Sequence, residues 1–479
     1  MKMIRVLMIA LFAAMAGNAS AQEKWNLRTI VEYAMGNNIN VKLSDVQARI
    51  SAINYTQSKL SQYPNLNFTG GMSLSSGTTQ DPITFSRTTQ SFIGSNLQLQ
   101  STADIFNFYS KRNEILSRKW EVEAAKANVD KLKNDIALTA ANAYLQILLS
   151  REQQAITSVQ IEQTKAQLSI VRKQVDVGTL PELNAVQLEA QMAADSVNYI
   201  NAKGNVDLAI LQLKAYMNID AAAPFEVDTP PVEFIPVEPI ADLQPEFVYK
   251  LALENQPLQR ANIFRIKAAK SAVLSARGAM YPSLSAFGSI GSRYNNQVLS
   301  ITGIKTPVGL SNEPVGAVTV GGVDYNVFTY RPEYFTEKTP YFTQLQDNFN
   351  QSIGLSVSVP IFNGGSLRSN YQRSRLNVET AELQQLADDQ KLKQDIYQAY
   401  TSAMVAMEKY NASLKSISAN ELSFNYANKR FEVGMLGTFE LITTQNNLLR
   451  ARLENSLNRY DYVFKMKVLE FYKGLGLKL

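Results

Sequence analysis

The chain has 479 residues, with 47 Lys and Arg against 42 Asp and Glu, and it contains neither His nor Cys. The two missing residue types exclude disulfides, Cys/His zinc sites, imidazole bases and Ser-His-Asp triads. A net charge of +5, spread along the chain, gives no indication of a nucleic-acid partner. Because 45% of its residues are apolar and 19% are charged, we expect a folded chain rather than a disordered one. We expect neither a metal nor a cofactor.

The first 21 residues have the pattern of a cleavable export signal. Lys2 and Arg5 precede an apolar run, and residues 19–21 read Ala-Ser-Ala, which fits a signal peptidase site. We therefore expect the mature chain to start at Gln22, with an uncleaved anchor as the alternative. Beyond this segment the sequence contains no run of 18 apolar residues, so a transmembrane helix is not expected.

The two halves of the chain share one plan, which indicates an internal duplication. Four matches keep their order: at an offset of 218 residues, 33–38 with 251–256 and 63–64 with 281–282; at an offset of 256, 105–107 with 361–363 and 177–178 with 433–434. We predict a first repeat over residues 22–218 and a second over 246–479, each with a helix, two strands and a long α-hairpin. Between them, the proline-rich residues 219–245 predict an extended linker.

Alternation of apolar and polar residues predicts strands at 65–75 and 352–361, with weaker versions near 91–100 and 283–294. About ten residues is the length of a tilted strand that crosses a membrane. The opposite face is small and polar, which fits a water-filled lumen, although a soluble sheet with one wet face is the alternative. Aromatic residues at one end of the strands fit an interfacial girdle: Tyr63, Phe106, Phe108, Tyr109, Tyr281 and Phe362.

Residues 84–179 and 362–479 contain no proline, and apolar residues recur there every seven positions. Each window predicts a helix of roughly 65 residues, about 100 Å long, that packs along a neighbouring helix. The helices break at Gly178 and Gly434, and after the first break Pro181 starts a new helix. We therefore predict one long α-hairpin in each half of the chain, with its tip at the glycine.

Four such strands cannot close into a barrel. An open sheet in a membrane would leave edge N–H and C=O groups unpaired in hydrocarbon, which costs several kcal/mol for each group. Three copies of the chain would supply about 12 strands and two copies about eight. We therefore expect strands from other copies of the chain to close the β-barrel.

Together these features resemble the TolC-like outer-membrane efflux protein family over nearly the whole mature chain. The resemblance rests on the duplication, on the Tyr-Pro pairs before the strands, on residues 357–365 leading into a long helix, and on the paired tips. It implies a mixed α+β membrane protein: a trimeric 12-strand β-barrel, continued by a periplasmic α-helical coiled-coil barrel. It also implies the exit duct of a tripartite efflux pump for drugs or other small molecules. The implied partners are a periplasmic adaptor (membrane fusion) protein, an inner-membrane transporter and outer-membrane lipid.

The resemblance also implies functional positions at the helical tips. The tip residues are expected to contact the adaptor, although they could equally pack the turns: Val177, Gly178, Thr179, Leu180, Val433, Gly434, Met435 and Leu436. Family members often carry Asp six residues after each tip glycine, at the tunnel aperture. Those positions hold Asn184 and Glu440 here, so only Glu440 keeps the charge. We expect Glu440 to form an acidic ring at the aperture, and the alternative is that Glu440 is a solvated carboxylate on the face of its helix.

Residues 295–350 depart from the family pattern, because they form a connection of about 55 residues where the first half has roughly 14. Long outward loops are usual in membrane barrels. The segment is rich in aromatic residues, and we expect a partial lid with these members: Tyr325, Phe328, Tyr330, Tyr334 and Phe335.

Three other functions compete with an efflux duct. A duct for type I protein secretion would use the same architecture. A coiled-coil envelope spacer or adhesin would need no strands with a polar face. An enzyme such as a carboxylate-pair glycosidase is disfavoured, because nothing in the sequence sets two acids in a cleft.

Overall fold

A computed structural model of the chain describes residues 24–80, 85, 87–228, 235–305, 309–332 and 334–474. The predicted export signal and residues 229–234 of the predicted linker lie outside the described residues. Within the described ranges, no helix has both the length and the apolar character needed to cross a membrane.

Both halves have the same order of elements: two helices, two strands of one sheet, a long helix and a shorter one. The first half contains α1 (Leu27–Asn37), α2 (Ile39–Leu60), β1 (Asn65–Gln80), β2 (Arg87–Phe106), α3 (Ser110–Asp176) and α4 (Glu182–Met217). The second half contains α5 (Pro245–Asn255), α6 (Pro257–Gly278), β3 (Ser283–Asn295), β4 (Leu299–Ile304), β5 (Gly309–Leu310), β6 (Gly316–Val320), β7 (Val323–Val327), β8 (Tyr330–Arg331), β9 (Tyr334–Lys338), α7 (Tyr341–Asp347), β10 (Asn350–Ser358), α8 (Ser366–Glu432) and α9 (Thr438–Tyr472). The repeat boundaries at 22–218 and 246–479 stay predictions.

The chain divides into two compact units. The helical unit contains residues 1–55, 116–270 and 375–479, and the sheet unit contains residues 56–115 and 271–374. Each unit takes segments from both halves of the sequence.

The core of the helical unit lies where α1, α3 and α4 pack together. Ile30 of α1, Tyr144 and Ile147 of α3, and Leu213 and Met217 of α4 are all fully buried in one cluster. Helices α3 and α8 each run for 67 residues, which confirms the predicted length of roughly 65. Their seven-residue apolar repeat supplies a continuous packing stripe, so the long helices gain stability from neighbours rather than from helix propensity alone.

Both tips of the helical hairpins turn at a glycine, as predicted. Gly178 has φ +74° and Gly434 also has φ +74°, in the left-handed region that a residue with a Cβ adopts only at a cost. Pro181 precedes the first residue of α4 and fixes the backbone there at φ −59°. The turn sequence therefore reverses the chain within five residues at each tip, 177–181 and 433–437.

A buried polar network joins α3, α4 and α9 in the part of the hairpins that leads to the tips. The hydroxyl of Thr164 donates to Asp195 Oδ2 at 2.6 Å, and Gln191 Nε2 donates to Asp195 Oδ1 at 2.8 Å. Gln445 Nε2 donates to Thr164 Oγ1 at 3.1 Å, and Gln191 exchanges hydrogen bonds with Asn446. Asp195 is 1% exposed, so its carboxylate depends on these donors. A polar layer of this kind fixes the register of packed helices.

The predicted proline-rich linker is only partly extended, which corrects the expectation for 219–245. Residues Ile240–Leu243 form a turn of 3-10 helix, and Pro245 begins α5. Proline is tolerated in the first turn of a helix, because the N–H that it lacks has no partner there. The side chain of Glu470 holds the preceding segment by accepting from the N–H of Glu238 at 2.8 Å.

The sheet unit is built on four antiparallel strands in the order β1-β2-β3-β10. All four predicted strands are present, but the bounds of three of them differ from the prediction. β1 and β2 extend to 16 and 20 residues, so six residues, 81–86, connect them rather than roughly 14. β10 ends at Ser358 rather than at 361, and Pro360 beyond it has no N–H to donate to a ladder.

The long connection between β3 and β10 is a β-hairpin rather than an irregular loop. Three nested pairs, β4 with β9, β5 with β8 and β6 with β7, fold residues 299–338 back on themselves. Val320 pairs with Val323, and the two residues between them are Gly321 and Gly322 with φ +64° and +83°. This is the two-residue turn that matches the twist of a hairpin. Helix α7 then packs on β3, where Ser292 donates to the carbonyl of Leu345 at 2.7 Å.

The corners that lead from strand to long helix repeat in the two halves with different residues. Phe108 and Tyr109 have φ +46° and +62°, and Gly364 and Gly365 have φ +65° and +78°. The pairs lie 256 residues apart, the offset of the duplication. Glycine adopts this conformation freely, whereas a bulky residue adopts it only under strain.

We expect Thr164→Val to destabilise the helical unit by about 1–3 kcal/mol, because the buried Asp195 carboxylate loses a donor while side-chain size is kept. Thermal unfolding of the purified protein, followed by its helical circular dichroism, measures the change. The matched control is Thr139→Val, since the Thr139 hydroxyl donates only to the carbonyl of Asp135 in its own helix. An equal loss of stability in both variants would contradict a special role for the network.

Candidate functional site

The four-stranded sheet has one apolar and one polar face. Cross-strand pairs such as Phe68 with Leu99 and Leu99 with Ile290 carry the apolar face across the strands. The apolar face is exposed to a degree that soluble sheets avoid; Ile353, for example, is 92% exposed. The members of this face are Leu66, Phe68, Met72, Leu74, Leu97, Leu99, Ile290, Ile353, Leu355 and Val357. Such a surface fits contact with lipid acyl chains.

The opposite face carries mostly short polar side chains. It includes Asn65, Asn67, Thr69, Ser73, Gln98, Gln100, Thr102, Ser285, Ser289, Ser352 and Ser356. Ser289 and Ser352 share a hydrogen bond of 2.8 Å across two strands. These groups form hydrogen bonds with water readily, so the face fits an aqueous lumen.

The sheet is open at both sides. β1 and β10 each pair with one strand of this chain and form the two edges. A row of backbone N–H and C=O groups along each edge is therefore available to a strand from another chain.

Four of the six aromatic residues predicted to form a girdle contact one another at one end of the strands. Phe362, another predicted member, is 87% exposed. Phe108 stacks on Tyr281 with ring centroids 4.9 Å apart, and it lies 4.9 Å from the ring of Phe106. Tyr109 extends the cluster from Phe106 at 5.8 Å. Tyr63 is largely exposed near this end of the sheet. This arrangement has the composition of a girdle at the level of lipid headgroups.

The predicted tip residues divide into an exposed set and a packing set. Val177, Val433 and Met435 are about 70% exposed, whereas Leu436 is buried beside Leu441. Leu180 and Thr179 also serve the turn: Leu180 packs against the core of the first tip, and the Thr179 hydroxyl donates to the carbonyl of Gln174 at 2.8 Å. Gly178 and Gly434 supply the backbone conformation of the turns.

A cavity of about 370 Å³, the tip groove, lies between α3 and α8 close to the tips. Its walls are apolar and amide-bearing, with Phe424 and Phe431 on one side and Ile170 on the other. The lining residues are Gln163, Ala166, Gln167, Ile170, Gln174, Phe424, Asn428, Phe431 and Glu432. No local sequence pattern predicts this groove, because it depends on how two hairpins that are distant in sequence pack together.

The predicted aperture residues occupy equivalent places at the starts of the two shorter helices. Asn184 is half-buried in the first turn of α4, where its N–H donates to the carbonyl of Pro181 at 3.1 Å. Glu440 lies in the first turn of α9 and is exposed. Their role at an aperture stays a prediction.

The residues of the predicted lid lie on the long β-hairpin and are exposed. Tyr325 lies on β7 and Tyr330 on β8, while Tyr334 and Phe335 lie on β9. Phe328 lies between β7 and β8. Tyr330 is 71% exposed, so the expected packing on a neighbouring surface is not made within the described part of this chain. The lid function stays a prediction.

Helix α2 presents an apolar stripe, the α2 seam, that the sequence analysis missed. Ile39, Leu43, Val46, Ile50 and Ile53 follow one another at alternating spacings of four and three, and each is 42–66% exposed. This spacing is the signature of a coiled-coil seam. The signal is present in the sequence as the four-three spacing of these five residues.

The acids of the described residues do not form a metal site: no three Asp or Glu side chains are grouped to hold an ion there.

Comparisons with known proteins agree with this architecture. The outer membrane efflux protein BepC of Brucella suis biovar 1 (strain 1330) is 22% identical over 432 residues, 90% of this chain and 81% of BepC. The outer membrane protein TolC of Escherichia coli (strain K12) is 22% identical over 488 residues, 99% of this chain and 87% of TolC.

The fold matches that of a solved structure. The structure of CusC, a protein studied for transmembrane channel formation, superimposes with a TM-score of 0.73 at 15% identity, covering 94% of this chain and 92% of CusC. The family model described as outer membrane efflux protein matches residues 32–218 and 248–470, which is most of the chain. The chain therefore belongs to the outer membrane efflux protein family.

Proposed function

We propose that the chain is one subunit of a trimeric outer-membrane channel that acts as the exit duct of a tripartite efflux pump. The β-sheet contributes to a barrel in the outer membrane of a Gram-negative-type cell, and the helical unit extends into the periplasm. The duct conducts drugs or other small molecules passively. An inner-membrane transporter supplies them through a periplasmic adaptor, and the duct itself performs no catalysis.

One observation carries this proposal: the sheet is apolar on one face, polar on the other and open at β1 and β10. A soluble protein would cover the apolar face, and a monomer in lipid would leave the edge groups of both outer strands unpaired. Pairing β1 of one copy with β10 of the next satisfies these groups. Three copies give a closed barrel of about 12 strands with a polar interior.

The α2 seam supports contact between copies of the chain. On the opposite side of the same helix, Val41 and Ala48 are buried in the core of the helical unit. Helix α2 is therefore apolar on two opposite faces, and only one of them is covered by its own chain. A helix that is apolar on both sides is stable in water when both sides are packed. A neighbouring protomer is the partner that a trimer supplies.

The tips support docking of an adaptor. Val177, Val433 and Met435 expose apolar side chains at turns, where solvent contact is otherwise unfavourable. The tip groove lies nearby and is wide enough to receive side chains from a partner helix. We propose that these three residues and the groove receive the adaptor, while Leu436 packs the turn from inside.

Glu440 is proposed to narrow the periplasmic aperture electrostatically. Symmetry would bring one Glu440 from each protomer around a common axis, and carboxylates that face one another attract cations. Asn184 occupies the corresponding position in the first hairpin and adds a polar but uncharged group.

The assembly is tested by Val46→Glu combined with Ile50→Glu, which places charge in the α2 seam. We expect the trimer to fall apart into subunits after extraction from outer membranes, because two charges would be buried at each contact. Native mass measurement in detergent reads out the oligomer. The control is Gln47→Glu, on the flank of the same helix, which should leave the trimer intact. Intact trimers in the doubly substituted variant would rule out contact between protomers through the α2 seam.

For the tips, we expect Val433→Asp with Met435→Asp to abolish drug export in cells while the trimer and its conductance persist. The reason is that the changes remove an apolar docking surface without altering the barrel. Drug susceptibility and planar-bilayer recordings measure the two properties. Leu436→Asp is the contrasting variant, since it should instead destabilise the tip. Export at the wild-type level would count against docking at these residues.

For the aperture, Glu440→Gln is expected to lower the cation selectivity of single channels. The reversal potential in a salt gradient measures the selectivity. Glu182→Gln serves as the control, because Glu182 also lies in the first turn of a hairpin helix. Unchanged selectivity in Glu440→Gln would show that the carboxylates of the aperture lie elsewhere.

A further inference from the structure

Phe287 interrupts the polar face of the sheet. Along β3 this face reads Ser283, Ser285, Phe287, Ser289, Gly291, Arg293 and Asn295, so Phe287 is the one large apolar side chain among its seven positions. The ring belongs to this face by register, since Phe287 pairs with Thr102 on β2 and with Gly354 on β10. Thr102 in turn pairs with Asn65. A large apolar group thus lies in the middle of a wall that is otherwise suited to water.

The ring of Phe287 lies over Gly354 of the neighbouring strand β10. A Cβ added to Gly354 would lie 2.7 Å from Cζ of Phe287 and 3.0 Å from Cε1, closer than real contacts allow. Only a residue without a Cβ therefore lets the ring lie across β10. The flanking residues on this face of β10 are Ser352 and Ser356, which are small enough to leave the ring accessible. Phe287 keeps 38% of its surface exposed.

An accessible aromatic ring in a polar wall has a specific chemistry. Its face attracts other aromatic rings and organic cations, whereas Ser and Thr beside it offer only hydrogen bonds. Closing the barrel does not require this ring, because the apolar residues that face lipid lie on the other side of the sheet. A purely structural role would be to cover the backbone at Gly354, as aromatic residues do for glycine in sheets.

We propose that Phe287 is a contact for aromatic organic cargo inside the lumen of the barrel. The inference rests on the proposed function, because the polar face becomes a lumen only in a closed barrel. In a trimer, three such rings lie at one level of the wall and form an aromatic collar. The collar favours one class of substrate for the duct: flat or cationic molecules with aromatic rings. Such molecules pass along the wall of the lumen by successive stacking contacts.

The test compares two monovalent cations with and without aromatic rings, tetraphenylphosphonium and tetrapropylammonium, as blockers of single-channel current in potassium chloride. Wild-type channels should be blocked for longer by the aromatic cation. Phe287→Ser should shorten that block by about twofold to tenfold, the range that one aromatic contact supplies. Block by the aliphatic cation should stay the same, and Phe287→Tyr should retain the wild-type difference.

Two further variants separate the collar from a structural role. Gly354→Ala should displace the ring and reduce the aromatic block without removing Phe287. Phe68→Leu is the matched control: Phe68 pairs with Leu99 on the opposite, apolar face, so removing this ring should leave the block unchanged. Native mass and potassium conductance check that each variant still forms a channel.

The outcomes distinguish this inference from the proposed function. If wild-type protein forms no channel, the proposed function fails and the collar with it. If Phe287→Ser channels conduct normally and are blocked by the aromatic cation as long as wild type, the duct stands and the collar is overturned. A loss of thermal stability in Phe287→Ser with unchanged block would assign the ring solely to covering Gly354.

Discussion

Pairing of backbone groups at the two edges of one sheet is the constraint on which the rest of the structure depends. β1 and β10 each have one partner strand within the chain, and the sheet between them exposes an apolar face. In hydrocarbon, every unpaired N–H or C=O is costly, so the sheet is stable in a membrane only as part of a closed wall. Pairing with other copies is therefore a condition for a stable sheet in the membrane, and the lumen is a product of that assembly.

Much of the fold can be predicted from the sequence, because repeating patterns report on strands and packed helices. The four strands and both long helices follow from periods of two and seven residues, and the turns at Gly178 and Gly434 follow from glycine chemistry. Strand ends are less predictable. The outer part of β1, residues 76–80, contains only Ser, Gly, Thr and Gln, so no alternation marks it. The hairpin at 299–338 is solvent-exposed on much of its surface, and burial does not impose a one-sided pattern there either.

The candidate sites are only partly predictable, because they combine residues that are distant in sequence. Composition identifies an apolar tip, but it does not tell Val433, which faces solvent, from Leu436, which is buried. The tip groove lies where α3 and α8 pack together, and no local sequence pattern predicts it. Likewise, the sequence of β3 shows Phe287 among small residues, but only the pairing of β3 with β10 shows that Gly354 lies beside it. The α2 seam is the exception, since its four-three spacing can be read directly.

The strained corner at Phe108 and Tyr109 couples the folding of the two halves of the sequence. Left-handed backbone at two bulky residues needs support, and part of that support comes from residues far along the chain. Tyr281 stacks on Phe108, and the backbone at Gly278 approaches so closely that a Cβ there would lie 2.7 Å from the carbonyl oxygen of Phe108. The glycine corner at 364–365 carries no such burden. The first-half corner is therefore complete only when residues 278–281 of the second half have packed against it.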